Sequence, residues 1–422
     1  MKKFRILALF CAALTLFAVP VSAATLSPAI AELAAEEISV KAGLYRCDVV
    51  FSEEDFYQQT GVNRFPSLTF TSVPPAEDGV LTVADTVIQS GMTVSRELLS
   101  KLRFTAASDQ VDSTSFTYTL PERYGASELT CKIVFLEEIN DAPTVALPTS
   151  AETLTTYRNV TLHSCLTASD PEGDELTFRV IRAPKHGTLE LPPNGNGTFT
   201  YVPDKNYTGK DSFIFTVRDE YGNYSKNCTV TLRTTKNKTG MTFEDMSDSA
   251  AYNAAITCAS LGLMSPTRVG EKNYFEPNGT VTRIELLASL MDAAGVKLTE
   301  AKTEIFADSA VIPEKYQPYA ATAVKLGYIQ GYAENGMIFF RPEQAVTRAE
   351  AAMIASNILG GQNIAIQTFA DSEAVPSWAE NAVRFAVANR LLLPVSGDIL
   401  PESAMTRADS AVMLAAAHAF SD

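Results

Sequence analysis

A short motif returns three times at one fixed interval, and it limits what this chain can fold into more than any bulk property does. Phe243-x-Asp245, Phe306-x-Asp308 and Phe369-x-Asp371 are separated by 63 residues each time. Each is followed by an aromatic (Tyr252, Tyr316, Trp378) and then by apolar residues at i, i+3 and i+4: Ala255, Cys258 and Ala259; Ala320, Ala323 and Val324; Val383, Ala386 and Val387. That period is helical. Pro277, Pro342 and Pro401 each stand five residues before a threonine, opening Thr282-Arg283-Ile284-Glu285, Thr347-Arg348-Ala349-Glu350 and Thr406-Arg407-Ala408-Asp409. A threonine with an acid three positions on is a capping box, in which the hydroxyl takes a helix-end N–H and the carboxylate reaches back. Every unit therefore reads as helix, loop, capped helix.

A second duplication lies upstream. Residues 68–81 (LTFTSVPPAEDGVL) run parallel to 176–189 (LTFRVIRAPKHGTL), and Ser115–Thr119 parallels Ser212–Thr216. Alternating apolar residues such as Phe213, Phe215 and Val217, with turn clusters between the runs, predict antiparallel β-sandwiches. Asn140-Asp141-Ala142-Pro143 marks the boundary, since proline interrupts strand pairing. The expected layout is a first β domain over 41–140, a second over 141–234, a linker over 235–240, and helical units over 241–300, 301–363 and 364–422. A length of 422 residues with 46% hydrophobic content supports several packed cores.

Lys2, Lys3 and Arg5 ahead of an apolar run to Val19, then Val21-Ser22-Ala23, have the layout of a secretory leader over 1–23. A tether, 24–40, follows. No transmembrane segment is expected in the mature chain. The formal charge of −15 repels phosphate backbones and argues against a nucleic-acid partner. Outside the leader, Cys47 and Cys165 fall near the start of the two β copies, and Cys131 and Cys228 in their last strands. The duplication predicts Cys47–Cys131 and Cys165–Cys228 disulfides, the alternative being reduced core cysteines. Cys258, on a helical apolar stripe, is expected as a buried thiol.

The second β copy resembles the cadherin-like, immunoglobulin-type repeats of bacterial surface proteins, through Asp170-Pro171-Glu172-Gly173-Asp174, Pro184-Lys185-His186-Gly187 and Gly209-Lys210-Asp211-Ser212-Phe213. Its Asp170, Glu172 and Asp174, with Asp141 and Asp219 approaching from domain ends, would suit Ca²⁺ as hard oxygen ligands. The alternative is a solvated turn that needs no ion.

The helical units resemble the S-layer homology module. The resemblance implies an all-α domain of three units about a pseudo-three-fold axis, with grooves that bind a secondary cell-wall polysaccharide, often a pyruvylated one. Arg283, Arg348 and Arg407 would grip the acid beside helix N-termini with unpaired N–H groups, or else pair internally. Asp245, Asp308 and Asp371 would accept sugar hydroxyls, while Tyr252, Tyr316 and Trp378 would stack on sugars or fill the core. Departures argue for fewer than three competent grooves: Arg390 stands where the other units have Gly262 and Gly327, and Asp409 where they have glutamate.

The three histidines are scattered, and no metalloprotease, P-loop or nucleophile-elbow motif occurs. The chain is thus expected not to be an enzyme. The leading expectation is an exported protein of the cell wall or S-layer, anchored without a covalent bond, with the β domains as stalk or display modules. The alternatives are an adhesin whose β domains bind a protein or cell ligand, and a small wall-anchored hydrolase.

Overall fold

The computed structural model describes residues 38–53, 55–56, 65–121, 128–146, 153–192, 196–247, 249–301 and 304–421. The expected leader and nearly all of the tether lie outside them. The chain divides into two compact units, Met1–Ser39 with Asp48–Lys132, and Val40–Cys47 with Ile133–Asp422.

In the first unit, Ser67–Ser72 pairs antiparallel with Thr93–Ser95 on one side and Ser113–Thr119 on the other. In a second sheet Leu102–Ala106 pairs with Gly79–Val83 and Val49–Val50. Alternate residues of Ser113–Thr119 point inward, which buries Phe116 and Tyr118 completely. Phe51, just after Val49–Val50, meets Phe116 edge-on at 5.7 Å, and Phe70 lies 5.5 Å from the same ring. The aromatic cluster joins the two layers as the expected sandwich.

The β part of the second unit is built likewise. Gly209–Arg218 lies between Thr177–Arg182 and Cys228–Thr235, and Leu162–Cys165 pairs with Thr198–Pro203 in the opposing sheet. Phe178, Phe199, Tyr201, Phe213 and Phe215 fill the space between them. One strand departs from the antiparallel expectation: Thr153–Tyr157 runs parallel to Cys228–Thr235. A long crossover separates the two strands in sequence, so nothing forces a hairpin. The Lys185-His186-Gly187 signature proves architectural. The buried Asp211 accepts the backbone N–H groups of Lys185 and His186 at 2.9 and 2.8 Å and the Tyr201 hydroxyl at 3.1 Å. Burial works against its charge, but these bonds and the one from Ser212 together hold its carboxyl below the usual range.

Six helices follow: α1 (Tyr252–Leu261), α2 (Arg283–Ala293), α3 (Gln317–Lys325), α4 (Arg348–Leu359), α5 (Glu380–Ala388) and α6 (Arg407–Ser421). The capped helices α2, α4 and α6 all touch one another. Each leading helix packs on a capped helix of a different unit, α1 on α6, α3 on α2 and α5 on α4. The units interlock because none can bury its apolar face alone. At the helix entries a closed ring of backbone bonds runs from Val281 N to Met405 O, from Met405 N to Val346 O and from Val346 N to Val281 O. The region is not all-α as expected: Thr267–Val269 pairs with Lys272–Tyr274, and Tyr332–Glu334 with Met337–Phe339, as short hairpins within the loops.

Candidate functional site

The threonine caps form as the sequence predicts. Thr282 with Glu285 and Thr347 with Glu350 are reciprocal capping boxes, and Asp409 serves Thr406 in the same way. The helix entries nevertheless leave no N–H for an anion at the positions expected to hold one. Arg283 N donates to Gln344 O, Arg348 N to Ser403 O and Arg407 N to Gly279 O, and the next amides, Ile284, Ala349 and Ala408, donate to Pro342, Pro401 and Pro277. Bonds from each unit to the next use the donors on which the anion argument rested.

The three aspartates are clamps, not free acceptors of sugar hydroxyls. Asp245 accepts from Phe275 N and Glu276 N at 2.8 and 2.7 Å, Asp308 from Phe340 N and Arg341 N at 2.8 and 2.7 Å, and Asp371 from Ile399 N and Leu400 N at 2.8 and 2.6 Å. Glu276, Arg341 and Leu400 each precede the proline of their unit and each have a left-handed backbone, with φ of 60°, 58° and 55°. For a residue with a side chain this conformation costs roughly 1–2 kcal/mol. The carboxylate pair stabilises it, so both oxygens of each aspartate are engaged.

The arginines, alike in sequence, part company in space, because each reaches into the loop of the following unit. Arg348 is only 2% exposed and is spent internally: Nη1 donates to Asp409 at 2.6 Å, Nε to Ile399 O and Nη2 to Leu393 O, both at 2.7 Å. Burial lowers its pKa, against the pull of Asp409. Arg407 donates to Phe275 O at 2.7 Å and Ser265 O at 3.0 Å, with its guanidinium over the Phe275 ring. Both put Nε and Nη2 on main-chain carbonyls. Arg283 differs. Its side chain is 9% exposed, Nη1 lies 2.9 Å from Glu350, and the buried Nε meets no acceptor.

Arg283 lines a cleft of about 580 Å³ with Tyr328, Gln330, Gly331, Tyr332, Glu350, Asn357 and Trp378. Its guanidinium stacks 4.7 Å above Tyr332, whose hydroxyl bonds Glu350 and is pushed up to about 12, by burial first and then by that carboxylate. Gly331 lets the hairpin close beneath: at φ +75° an added Cβ would stand 2.7 Å from Phe339 O and 2.8 Å from Phe306. Trp378 is 55% exposed on the rim. Of the three predicted aromatics, Trp378 lines this cleft. Tyr252 packs edge-on against Phe243 and Tyr316 against Tyr319, both half-buried. A cleft with a flat indole, a stacked guanidinium carrying a spare N–H, and amide groups can hold a ring bearing a carboxylate. The sequence reading missed Tyr332, Gln330, Glu350 and Asn357 here. Tyr332 and Gln330 belong to the Leu-Gly-Tyr-Ile-Gln-Gly-Tyr loop after α3, and Glu350 and Asn357 to α4, where Glu350 also serves the cap.

A second group lies in the β part. Asp170, Glu172 and Asp174 bring carboxylate oxygens within 4.8 Å of one another. Oδ1 of Asp170 accepts three backbone amides, Glu172, Gly173 and Asp174, whereas its buried Oδ2 meets no donor. Asp219 is 1% exposed and bound to Asn223; burial, with a smaller contribution from Asp170, raises its pKa. Asn223 in turn donates to Asn140 O, and Asp141 N donates to Glu172.

The disulfide expectation is overturned. Cys47, Cys165 and Cys228 are free thiols. Cys165 and Cys228 bond different carbonyls, Val387 O at 3.8 Å and Lys226 O at 3.5 Å. Cys165 is drawn away because it is packed into the core of the helical part. Cys258 is the expected buried thiol, bonded to Ala411 O and pushed up to about 12 by burial.

Two family models match parts of the chain. Residues 140–233 match the bacterial Ig domain family, and residues 242–287 and 306–352 match the S-layer homology domain. The third helical unit lies outside those matches but shares the clamp and the cap. Both families are non-catalytic modules, and S-layer homology domains mark attachment at the cell surface. An amylopullulanase of Thermoanaerobacterium thermosulfurigenes is 27% identical over 180 residues, 41% of this chain and 9% of that protein. The chain thus spans under a tenth of that relative. Among solved structures, Drosophila N-cadherin EC1-3 is 12% identical over 50% of this chain and 67% of its own, with a TM-score of 0.22. Clostridium thermocellum CbhA fibronectin(III)-like modules are 14% identical over 49% and 95%, with a TM-score of 0.20. No helix among the described residues is long and apolar enough to cross a membrane.

Proposed function

We propose, from a chain that joins S-layer homology repeats to a bacterial Ig domain, that the protein is held without a covalent bond on an acidic secondary polysaccharide of the cell wall. The three helical units form one pseudo-three-fold anchoring domain, a reading supported by the closed ring through Val281, Val346 and Met405. One cleft carries the binding. Arg283 takes the acid, a pyruvate ketal or equivalent carboxylate, through its unpartnered Nε. Trp378 and Tyr332 face the sugar, and Gln330 and Asn357 orient its hydroxyls. The single observation behind this is the contrast between the unpartnered Nε of Arg283 and the Nε of its two counterparts, which donate to Ile399 O and Phe275 O. The β domains serve as stalk or display modules. The test is co-sedimentation of the purified chain with cell-wall sacculi before and after acid extraction of their secondary polymer. Binding lost with the polymer supports the reading; equal binding to stripped sacculi refutes it.

We further propose Ca²⁺ at Asp170, Glu172 and Asp174, near Asp219. The donors are all oxygen, and the orphaned Asp170 Oδ2 calls for a cation. The ion would stiffen the start of the Ig domain. A rise in melting temperature with calcium over chelator is the expected result, and coincident melts would remove the ion.

A further inference from the structure

The third repeat departs from its siblings at Arg390, and the second unit accounts for the change. Arg390 holds the left-handed position that glycine takes in the other repeats, with φ of 58° against 74° at Gly262 and 76° at Gly327. Its Nε donates to the carbonyl of Cys165, in the Ig domain, at 3.1 Å. Around that bond lies a continuous joint. Gln367, 8% exposed, donates to Leu166 O at 3.1 Å and Asn196 O at 2.9 Å and accepts from Ala168 N at 2.9 Å, so one side chain satisfies three main-chain groups of the Ig domain. Asn196 reaches Gly397 O at 3.0 Å, and Asn253 reaches Thr155 O at 2.9 Å. Cys165 is 1% exposed within the helical core.

This joint falls on the counterpart of the Arg283 cleft. There the loop after α3 and Glu350 form the walls; here the loop after α5, Leu393–Ser396, and Asp409 form them, but the opposite wall consists of His163, Glu190 and Thr200 of the Ig domain, around about 430 Å³. Its arginine, Arg348, is 2% exposed, with Nε, Nη1 and Nη2 each bonded within the protein. We infer that the third repeat is given over to docking the Ig domain, so the chain binds its glycan at a single cleft, one site per molecule, with the Ig domain seated on the anchor and not swinging from it. The single-site part rests on the glycan reading above; the docking part does not.

Two measurements on the full chain separate them. The first is native alkylation with iodoacetamide, read by peptide mass spectrometry. Cys165 should react far more slowly than the exposed Cys47. In Gln367→Ala/Arg390→Gly, which strands four main-chain groups of the Ig domain, Cys165 should react about 10–100-fold faster than in the parent. Cys258 should stay protected in both, as the control for folding. The second is calorimetric titration with the methyl glycoside of a hexose carrying a pyruvate ketal, expected to give one site that Arg283→Ala removes. Rapid alkylation of Cys165 in the parent chain overturns the docking, and two or three sites overturn the single-cleft claim. Absence of any heat defeats the glycan reading, and the alkylation result then decides the docking alone.

Discussion

Replacing Asp308 by alanine separates a clamp from a sugar ligand. The carboxylate takes Phe340 N at 2.8 Å and Arg341 N at 2.7 Å, and Arg341 is the left-handed residue ahead of Pro342. Hydrogen bonds to a charged group contribute about 1.5–3 kcal/mol each, so two lost bonds amount to roughly 3–6 kcal/mol, with the lower end apt for a half-buried site that water can reach. For a region of this size each kcal/mol moves the midpoint by about 2–4 °C, so the helical transition should fall by roughly 6–12 °C. Differential scanning calorimetry of Asp308→Ala against the parent measures it, with wall co-sedimentation below both midpoints as companion. The reasoning predicts lower stability with binding retained in the cold. An unchanged midpoint with binding abolished would refute the clamp and return the aspartate to the ligand.

Arg348→Ala should destabilise by about 3–5 kcal/mol, because it strands Asp409 and two carbonyls in a buried site; chemical denaturation reads this, and a neutral result would contradict the internal role assigned to it. At the acidic group, the raised pKa of Asp219 means that its contribution without metal is fully present below the ordinary 3.8 and is lost as pH rises through the folded value. Calcium competes with that proton, so the calcium-induced rise in melting temperature should shrink as pH falls from neutral into the carboxylate range, and be absent throughout in Glu172→Gln/Asp174→Asn. A rise independent of pH and of these residues places the ion elsewhere.

What the sequence shows and what it hides divide along contact distance. The capping boxes were legible because Thr282 and Glu285, or Thr347 and Glu350, meet within one helical turn. The sandwich cores were legible because alternation along a strand sorts Phe213 and Phe215 inward whatever lies opposite. The aspartates were visible as a repeat, but their partners sit about thirty residues downstream, and nothing local tells a clamp from a sugar acceptor. Grip and internal pairing stayed open for all three arginines alike, because repetition describes the residue and not the neighbouring unit's loop. Duplication likewise suggested a Cys165–Cys228 bond, yet Cys165 answers to helical residues more than two hundred positions away. Gln367 gave no local signal, since its partners belong to another domain.

The chain has a single tryptophan, and it stands on the rim of the Arg283 cleft. Its emission therefore reports on that cleft alone. Titrating purified, solubilised wall polysaccharide into the full chain should give a saturable change in tryptophan fluorescence that Arg283→Ala abolishes at a temperature where circular dichroism shows the variant still folded. An emission that stays flat while the chain still sediments with polymer-bearing walls would contradict the assignment, placing the attachment away from Arg283 and Trp378.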